Sequence, residues 1–472
     1  MGHSDKVAHE SVSAPDTDLA SSGKIPTARG ALPLVGHGLP MLRRAPEFLA
    51  ELAAQGDLVR IRIGPAPAVM VCDPELTHQV LRDDKTYDKG GPFISVVRDI
   101  AGDNLVGCPH SQHRRQRRLL QPAFQQNRFP EYAKTMSAEI AERVDAWHEG
   151  EVLDVPAQMA MLTTNVLTST MFSDTLTEAE LRQSKRDLDT IMDSVLTRML
   201  MAGPLRRLPI PANRRFERAR ARIRRTVLGI VATRRAEGGD RGDLLSALLS
   251  AHDTESSGAH QVLSDAEIAN QMMTFHIAGT ETIAITLTWA LHLVAAHPDI
   301  ERRLHDEVDT VLAGRTATHD DLSRLELTNR IVTETLRIRA PVWLLTRKVT
   351  TDTRLGGYHL PAGTTVAYSP YLIHHRADVY PDPERFDPDR WDPTLHPTPP
   401  RTSFIPFTNG ARKCIGDKFG MNECVLALAT IAANWRLTHL PGDTVRPAAS
   451  FAMKPHRLRM RTTRRTPVAA TR

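Results

Sequence analysis

One unbroken helical segment constrains this chain more than any other feature. It opens at Ser264-Asp-Ala-Glu267, a capping box in which an N-cap serine is followed three residues later by a glutamate, and it stops at His297-Pro298. Roughly 30 residues at about 1.5 Å each give a helix about 45 Å long, enough to cross a whole domain. Because the segment is apolar on most faces, it predicts a helix buried through the middle of a large helical fold.

The rest of the chain adds further helices and a few short strands. Helical periodicity runs almost unbroken over residues 130–312, whereas short strand-like runs separated by turns follow Ala340-Pro341. Nearer the N-terminus, residues 58–63 and 68–72 predict two strands, and residues 74–82 predict a helix. The expected fold class is therefore mainly α with small β-sheets.

Composition divides the chain into one long folded unit and two ends. The 472 residues suffice for one large domain, and 41% hydrophobic with 24% charged residues is ordinary for a globular protein. Residues 1–24 are polar and are predicted to be disordered, whereas residues 25–460 are predicted to form the domain. Residues 461–472 are expected to be a frayed basic tail.

Charge and cysteine usage exclude several classes of protein. A net charge of +5, from 60 basic and 55 acidic residues, is a mild excess without any nucleic-acid-binding signature, so no nucleic-acid partner is expected. Cys72, Cys108, Cys414 and Cys424 show no close pairing that would suggest disulfides or a zinc site, which favours a reducing compartment. The chain starts without the apolar run of a signal peptide or membrane anchor, and residues 283–296 are too few to span a bilayer. A cytoplasmic location is therefore predicted.

A loop around Cys414 carries the main chemical signal. Phe407, Gly410, Arg412 and Gly416 stand at fixed spacings about this cysteine, just before another apolar helix. A thiolate at a helix start meets free backbone N–H groups and the positive end of the helix dipole, which are expected to lower its pKa. The two glycines let the backbone pass close to a flat ligand, under which the phenylalanine packs while the arginine reaches an anionic group. A buried structural cysteine would explain Cys414 and Gly416 alone, but not all five positions.

Inside the long helix, Ala278-Gly279-Thr280-Glu281-Thr282 interrupts the apolar pattern. A glycine in a helix interior costs about 1 kcal/mol relative to alanine, and a buried glutamate costs more unless it is paired. Taken alone, the pentapeptide is explained by a glycine that allows close helix packing and a glutamate that faces solvent. Together with a cysteine-held cofactor it fits a site for dioxygen at a glycine-loosened turn, with Glu281 feeding protons and Thr282 donating a hydrogen bond.

With both segments in view, the chain resembles the cytochrome P450 family from about residue 25 to residue 459. The loop matches that family's haem-binding signature at all five positions, and the pentapeptide matches its oxygen-binding pattern. The resemblance implies the cytochrome P450 fold, with haem b between the long central helix and the Cys-loop helix. It also implies Cys414 as the iron ligand and Glu281 and Thr282 as catalytic acid and alcohol. The chain departs from the family pattern at Gly420, where many members have alanine, and at Ile283, where a second threonine or serine is common.

Three further residues resemble a structural motif of the family. Glu334 and Arg337 lie three residues apart on a predicted helix, and Arg385 follows within a Pro-Glu-Arg-Phe sequence. By itself the first pair is typical of an exposed ion pair worth roughly 0.3–0.5 kcal/mol. The resemblance implies instead that all three are buried together, where they lock the chain that leads to the Cys414 loop.

A basic run at residues 113–118 contains two of four predicted partners of the haem propionates. Its simplest interpretation is a solvated face, but His113 and Arg117 share one face of a helix. The resemblance implies that these two, together with Arg347 and Arg412, bind the propionates.

The remaining cations around this run suggest how electrons arrive. They are Arg114, Arg115, Arg118 and Lys413, and they would form a basic patch that steers an acidic electron donor. No flavin- or nicotinamide-binding region is visible in the sequence. Electrons from NAD(P)H are therefore expected to reach the haem through separate proteins, a ferredoxin reductase and a ferredoxin.

The substrate pocket is predicted only loosely, from apolar residues. The candidates are Phe93, Ile94, Phe275, Ala278, Val342, Leu344 and Met453. Core packing explains any one of them equally well, but as a set they favour a compact hydrophobic substrate held by shape. Residues 208–214, 340–347, 355–358 and 368–371 resemble bacterial sesquiterpene hydroxylases of the pentalenene and epi-isozizaene oxygenase group. That resemblance implies a haem-thiolate monooxygenase that oxidises a terpenoid of secondary metabolism.

Other functions stay open at this point. A fatty acid or a polyketide is an alternative substrate, and a peroxide-driven haem enzyme is an alternative reaction. A haem-thiolate gas sensor is the non-catalytic alternative. The Glu281–Thr282 pair disfavours the last two, because neither a peroxide user nor a sensor needs a proton relay.

Overall fold

The computed structural model describes residues 24–173, 177–201, 203–256, 258–397, 399–447 and 452–466. The segment predicted to be disordered, residues 1–24, lies outside this part of the chain except for its last residue. Helices dominate the described residues, as predicted. The α-helices are α1 (Gly38–Arg43), α2 (Ala45–Ala53), α3 (Pro74–Arg82), α4 (Pro92–Ala101), α5 (His110–Leu120), α6 (Phe129–Asp145), α7 (Val155–Phe172), α8 (Glu178–Leu200), α9 (Pro211–Glu237), α10 (Leu244–Leu249), α11 (Asp265–Ala296), α12 (Pro298–Leu312), α13 (Glu326–Ile338), α14 (Pro370–His374) and α15 (Asp417–Asn434).

The strands form small sheets at the periphery of the helices. They are β1 (Leu58–Ile63), β2 (Ala66–Val71), β3 (Tyr87–Lys89), β4 (Val152–Asp154), β5 (Leu345–Val349), β6 (Thr353–Leu355), β7 (Tyr358–Leu360), β8 (Thr365–Tyr368), β9 (Trp435–His439) and β10 (Arg459–Arg464). One sheet has the order β1-β2-β8-β5-β3, a second has β4-β10-β9, and β6 pairs with β7. The fold class predicted from the sequence, mainly α with small β-sheets, is confirmed.

Helix α11 is the long segment predicted from the capping box. Ser264 Oγ accepts a hydrogen bond from the amide of Glu267, whose carboxylate accepts from the amide of Ser264. The helix ends at its C-cap His297, and Pro298 begins α12. Length and composition alone would allow α11 to cross a membrane, but 67% of its most apolar 18-residue window is buried inside the fold. It is therefore the core helix that the sequence predicts.

Helix α7 packs closely along α11 at the unusual pentapeptide. A Cβ at Gly279 would lie 2.9 Å from Leu167 Cδ2 of α7, closer than side chains tolerate. One residue further on, Thr163 Oγ1 of α7 donates to the backbone carbonyl of Thr280 at 3.1 Å. Gly279 therefore lies where two helices approach closely, and α11 continues as an α-helix through this position, so the room for dioxygen at this turn stays a prediction.

The C-terminal residues form a strand, so the predicted boundary at residue 461 is wrong for the first part of the tail. β10 runs over Arg459–Arg464 and pairs with both β4 and β9. Met460 and Thr462 are fully buried while their neighbours along the strand are more exposed, which is the two-residue period of a half-buried strand. Basic composition suggested a frayed tail because sheet pairing with residues 435–439 cannot be seen in local sequence.

Candidate active site at the Cys414 loop

The loop that leads to α15 closes through its own backbone. The amide of Cys414 donates to the carbonyl of Phe407 at 3.0 Å, and the amide of Lys413 donates to Gly410 O at 3.1 Å. Gly410 has φ +71°, and a Cβ there would lie 2.3 Å from Leu81 O at the end of α3. Only glycine satisfies both the left-handed backbone and this close approach.

Cys414 is exposed, in contrast to Cys72, Cys108 and Cys424, which are buried. Protein atoms nevertheless surround its thiol densely. Burial raises the pKa of the Cys414 thiol, although the Gly416 N–H donates to it and acts in the opposite direction. The Gly416 N–H thus acts in the predicted direction, but burial outweighs it in the protein chain by itself. A coordinating thiol is deprotonated outright by its metal.

Arg347 is the strongest indication that this region binds an anion. Its side chain is 0% exposed, and none of its three guanidinium nitrogens forms a hydrogen bond of regular geometry with a described residue. The Tyr368 hydroxyl is a polar neighbour, and the charge of Arg347 and a weak hydrogen-bonding contact with it both oppose the rise in the pKa of Tyr368 that burial causes. A buried cation without a partner is costly, so this guanidinium fits an anionic group that the protein chain does not supply.

Two further basic groups belong to the same cluster. Lys89 lies opposite Arg347 in the antiparallel register of β3 and β5, and burial, together with the charges of Arg347 and Arg412, holds the pKa of Lys89 well below its usual range. His113 is buried on α5, where burial and Arg412 lower the pKa of its imidazole to about 3. Sequence reasoning found His113 but missed Lys89, because the strand pairing joins residues 258 positions apart.

The other two predicted propionate partners are already bonded to protein. Arg412 Nε donates to Asp84 at 2.7 Å, and its other nitrogens reach Asp88 at 2.8 Å and Cys108 O at 3.0 Å. Although burial opposes it, the hydrogen bond from Arg412 helps to hold the pKa of Asp84 below its ordinary value. Arg117 Nη1 donates to the carbonyl of Lys413 at 2.6 Å, directly before Cys414. These two arginines stabilise the loop, whereas the guanidinium of Arg347 has N–H donors without acceptors.

These residues fit the haem implied by the family resemblance. A soft sulfur ligand lies beside buried cations with unmet donors, which suits a metal complex that carries carboxylates. A Cβ at Gly416 would meet only Phe124 Cε1, at 3.8 Å, so the protein's own packing does not require glycine there. The small residue fits the close passage of a flat ligand instead.

The central helix passes beside this loop. Ile283 of α11 lies 3.7 Å from the position of a Cβ on Gly420 of α15, and Phe124 connects Gly416 to Phe275 through an edge-to-face ring contact at 5.3 Å. Ala278 is exposed and Thr282 is half-buried, four residues apart on one face of α11. Thr282 Oγ1 donates to Ala278 O at 2.7 Å, which leaves its lone pairs available.

Glu281 is largely buried beside Thr282. Burial raises the pKa of its carboxyl, the ammonium of Lys454 opposes that rise, and the charges of Asp193 and Asp189 on α8 add to it. Lys454 Nζ is 3.8 Å from Glu281 Oε1. The carboxyl is therefore more readily protonated near neutral pH than an ordinary glutamate.

The predicted structural triad forms with a different third member. Glu334 and Arg337 are both 0% exposed and are joined by two hydrogen bonds of 2.9 and 2.8 Å. Arg385 offers only its carbonyl to Arg337, at 3.2 Å, and its side chain is 69% exposed, so the prediction that it is buried here is wrong. Arg390, 11% exposed, approaches Glu334 to 3.6 Å instead, and Trp391 Nε1 donates to the same carboxylate at 2.8 Å.

The apolar pocket candidates divide into two groups. Val342, Leu344 and Met453 belong to one hydrophobic cluster that Phe93 also touches, and the Met453 amide donates to Pro341 O at 3.1 Å. Ile94 is fully buried and Phe275 meets Phe124 edge to face. The first group can line a shared pocket, whereas the last two fit core packing, and the remaining candidate Ala278 is exposed on α11.

The predicted basic patch is largely neutralised by acidic neighbours. Arg118 forms two hydrogen bonds of 2.8 Å with Asp253 and contacts Glu255, and Arg115 pairs with Glu267 at 2.6 Å. The other two members are paired as well, Arg114 with Glu255 and Lys413 with Asp417. The expectation of a free cationic surface from this run is wrong, since its partners come from residues far along the chain.

Comparisons with known proteins support the family that the sequence motifs indicate. Residues 26–461 match the family described as Cytochrome P450. The chain is 45% identical to the pentalenene oxygenase of Streptomyces avermitilis over 442 residues, or 93% of this chain and 98% of that protein. It is 42% identical to the cyclooctatin synthase of Streptomyces melanosporofaciens over 435 residues, or 92% and 94%. The crystal structure of the cytochrome P450DA heme domain matches with a TM-score of 0.84 at 28% identity, covering 94% of this chain and 98% of that one.

Proposed function

This chain belongs to the cytochrome P450 family of haem-dependent monooxygenases, and from that premise we propose that it hydroxylates a compact cyclic terpenoid with dioxygen. Three relatives support the substrate class by name: pentalenene oxygenase, cyclooctat-9-en-7-ol 5-monooxygenase and cyclooctatin synthase, at 45%, 41% and 42% identity. The apolar group Phe93, Val342, Leu344 and Met453 agrees with it, because apolar side chains suit a substrate that is held by shape.

The single observation that carries the site assignment is the guanidinium of Arg347 near the Cys414 loop, which is buried and has no acidic partner among the described residues. Cys414 would bind the iron of haem b through its sulfur, while Arg347, Lys89 and His113 would neutralise the propionates. Bound haem supplies the activation of dioxygen and the transfer of one oxygen atom to carbon. The protein's own contribution is the closed loop, held by the Gly410 and Phe407 carbonyls, that presents the sulfur in a fixed direction.

Glu281 and Thr282 would move the protons that this chemistry consumes. Burial raises the pKa of Glu281, and the charges of Asp193 and Asp189 add to that rise, so its carboxyl is a better proton reservoir than that of an ordinary glutamate. The Thr282 hydroxyl is half-buried at the neighbouring position. It would accept a proton on the side of Glu281 and donate its own proton on the side of the bound oxygen. A peroxide-driven enzyme has no use for this pair.

Electrons would come from a separate donor, for which we propose a ferredoxin and its NAD(P)H-dependent reductase. We also propose a cytoplasmic location, since the one helix of the described residues with membrane-like length and composition is the buried α11.

Spectroscopy of purified protein tests the iron ligand. Cys414→Ser should abolish the thiolate signature in the carbon monoxide difference spectrum of the reduced holoenzyme, whereas Cys424→Ala, a buried cysteine of α15, should keep it. Retention of the signature by Cys414→Ser would remove the ligand assignment.

Turnover with surrogate redox proteins tests the reaction and the substrate class. The holoenzyme is incubated with NADPH and polycyclic terpene hydrocarbons, a fatty acid and a macrolide, and products are identified by mass spectrometry. Monohydroxylated terpenoid that carries oxygen from labelled dioxygen is expected. Product from the fatty acid or macrolide alone would overturn the substrate class, and turnover only with peroxide would overturn the reaction.

A further inference from the structure

A cavity of about 220 Å³ lies between α8, α9 and α11, away from the Cys414 site. Its walls include Phe172 and Ile223 on the apolar side and Ser184 and His276 on the polar side. At 100° per residue, His276 lies about 200° around α11 from Ala278 and about 240° from Thr282. The cavity is therefore on the opposite face of the central helix from the residues proposed to handle protons.

Most polar groups around the cavity already have partners. Asp187, which is buried, accepts two hydrogen bonds from Arg222 Nε, at 2.9 and 3.2 Å, and one from Gln183 at 3.1 Å. His276 Nε2 contacts Ser184 Oγ at 3.3 Å. His276 Nδ1 is the exception, since it has no hydrogen-bond partner within the described chain although the residue is only 5% exposed.

The Ser184–His276 pair offers both hydrogen-bonding roles to a ligand. Burial lowers the pKa of His276 to about 4, so the imidazole is neutral near pH 7, with one donor nitrogen and one acceptor. In either tautomer the bond to the serine hydroxyl uses one nitrogen and leaves the other unmatched. The charged residues of the wall are either paired with each other, as Asp187 and Arg222 are, or exposed, as Glu180 and Arg225 are. The buried part of the wall therefore offers one unmatched polar atom beside apolar side chains, which suits a molecule with one hydroxyl group.

The volume sets the size of that molecule. An engineered cavity of about 150 Å³ accepts benzene, so 220 Å³ accommodates about nine non-hydrogen atoms, and a slightly longer molecule can project from the cavity because it is partly open to solvent. We propose that this cavity is a second ligand site, which binds a compact, singly hydroxylated and otherwise apolar molecule. The proposal of a second site rests on the cavity and on the histidine nitrogen without a partner. The further statement, that the bound molecule belongs to the same chemical class as the enzyme's own hydroxylated product, rests on the proposed function.

Thymol and p-cymene form a matched pair of probes, because they share one ten-carbon skeleton and differ by a hydroxyl group. The holoenzyme is first saturated with clotrimazole, whose coordination is followed in the haem spectrum, so that the pocket over the haem is blocked. Calorimetry then measures binding of each probe. One equivalent of thymol is expected to bind, and p-cymene about tenfold more weakly, as the loss of one hydrogen bond predicts.

Variants on the helices around the cavity locate the bound probe. His276→Phe, which removes the unmatched nitrogen, should weaken thymol about tenfold and leave p-cymene unchanged, while Ser194→Ala should change neither. Ser194 is on the same helix as Ser184, bonds to Ile191 O at 2.6 Å and lies outside the cavity wall. Thr226→Trp, which fills the cavity from α9, should abolish binding of both probes. The haem spectrum and the circular dichroism of each variant report whether it is folded.

Three results would overturn the proposal. They are no saturable thymol binding to the azole-bound enzyme, equal affinity for the two probes, or thymol binding that survives in folded Thr226→Trp protein. None of these results bears on whether the enzyme forms product with redox partners, so failure of the second site and failure of the proposed function are distinguishable.

Discussion

Lys454 Nζ lies 3.8 Å from Glu281 Oε1, although the two residues are 173 positions apart. The backbone beside the lysine is tied to the helix that carries the glutamate, because Trp289 Nε1 of α11 donates to Met453 O at 2.6 Å. The Met453 amide also donates to Pro341 O at 3.1 Å. The ammonium is thereby held where it opposes the rise in the pKa of Glu281.

Removal of this ammonium should shift the pH dependence of turnover. In Lys454→Gln the pKa of Glu281 rises further, because burial and the α8 aspartates then act unopposed. Since the protonated carboxyl is the donor and is lost as pH rises through that pKa, the alkaline limb of the rate profile should move to higher pH. The profile of product formation checks this shift.

Two further variants complete that test. Glu281→Gln should remove this limb altogether, whereas Lys134→Gln, at an exposed lysine of α6, should leave the profile unchanged. A wild-type profile in Lys454→Gln would show that the lysine does not influence the proton donor.

Arg347→Met should affect the haem-bound and haem-free proteins in opposite directions. In the apoprotein it removes a buried charge without a partner, so stability should stay equal or rise. In the holoenzyme it removes a propionate partner, so haem should transfer faster to apomyoglobin. Thermal melting of the apoprotein and the transfer rate measure the two effects. Lys348→Met, at the exposed neighbouring position on β5, is the control, and unchanged haem release from Arg347→Met would contradict the role given to this guanidinium.

Arg390→Ala should be far more damaging than Arg385→Ala. Arg390 is 11% exposed and lies 3.6 Å from the buried Glu334, whereas the side chain of Arg385 is 69% exposed. Loss of a partner from a buried charged group costs about 1–3 kcal/mol, whereas an exposed substitution costs roughly 0.5 kcal/mol or less. The yield of soluble holoenzyme and the melting temperature are measured for both variants. Equal decreases in the two variants would mean that Arg390 is not the third member of the triad.

Gly420→Ala should stabilise the protein while Gly410→Ala should destabilise it. A Cβ at Gly420 meets only Ile283, at an ordinary 3.7 Å, and alanine in a helix interior gains about 1 kcal/mol over glycine. At Gly410 the Cβ would lie 2.3 Å from Leu81 O on a backbone with φ +71°. The melting temperatures of the two holoenzymes should therefore move in opposite directions. A lowered melting temperature for Gly420→Ala would mean that the glycine is needed for more than packing.

Local features of the chain predicted the elements that depend on neighbours in sequence. The capping box at Ser264 and Glu267 and the stop at Pro298 predict α11 to within a residue, since caps are satisfied inside one turn. Strand β1 and helix α3 have the predicted limits for the same reason. Errors appear where partners are distant. The sequence motif predicts Arg385 where Arg390 lies, and the basic run predicts a free cationic patch where Asp253 and Glu267 neutralise the arginines.

Sequence by itself determined the chemistry available to this protein: one cysteine in a glycine-bearing loop, an acid next to an alcohol on a long apolar helix, and the helix limits. These features are short-range, so a few neighbouring side chains and backbone dihedrals specify them. Only the tertiary structure decided which charges are satisfied. It paired Arg412 with two aspartates, left Arg347 buried with unmet donors, placed Lys89 beside it and brought Lys454 to Glu281. The electrostatic state of a group depends on burial and on partners far along the chain, and both exist only once the fold has formed.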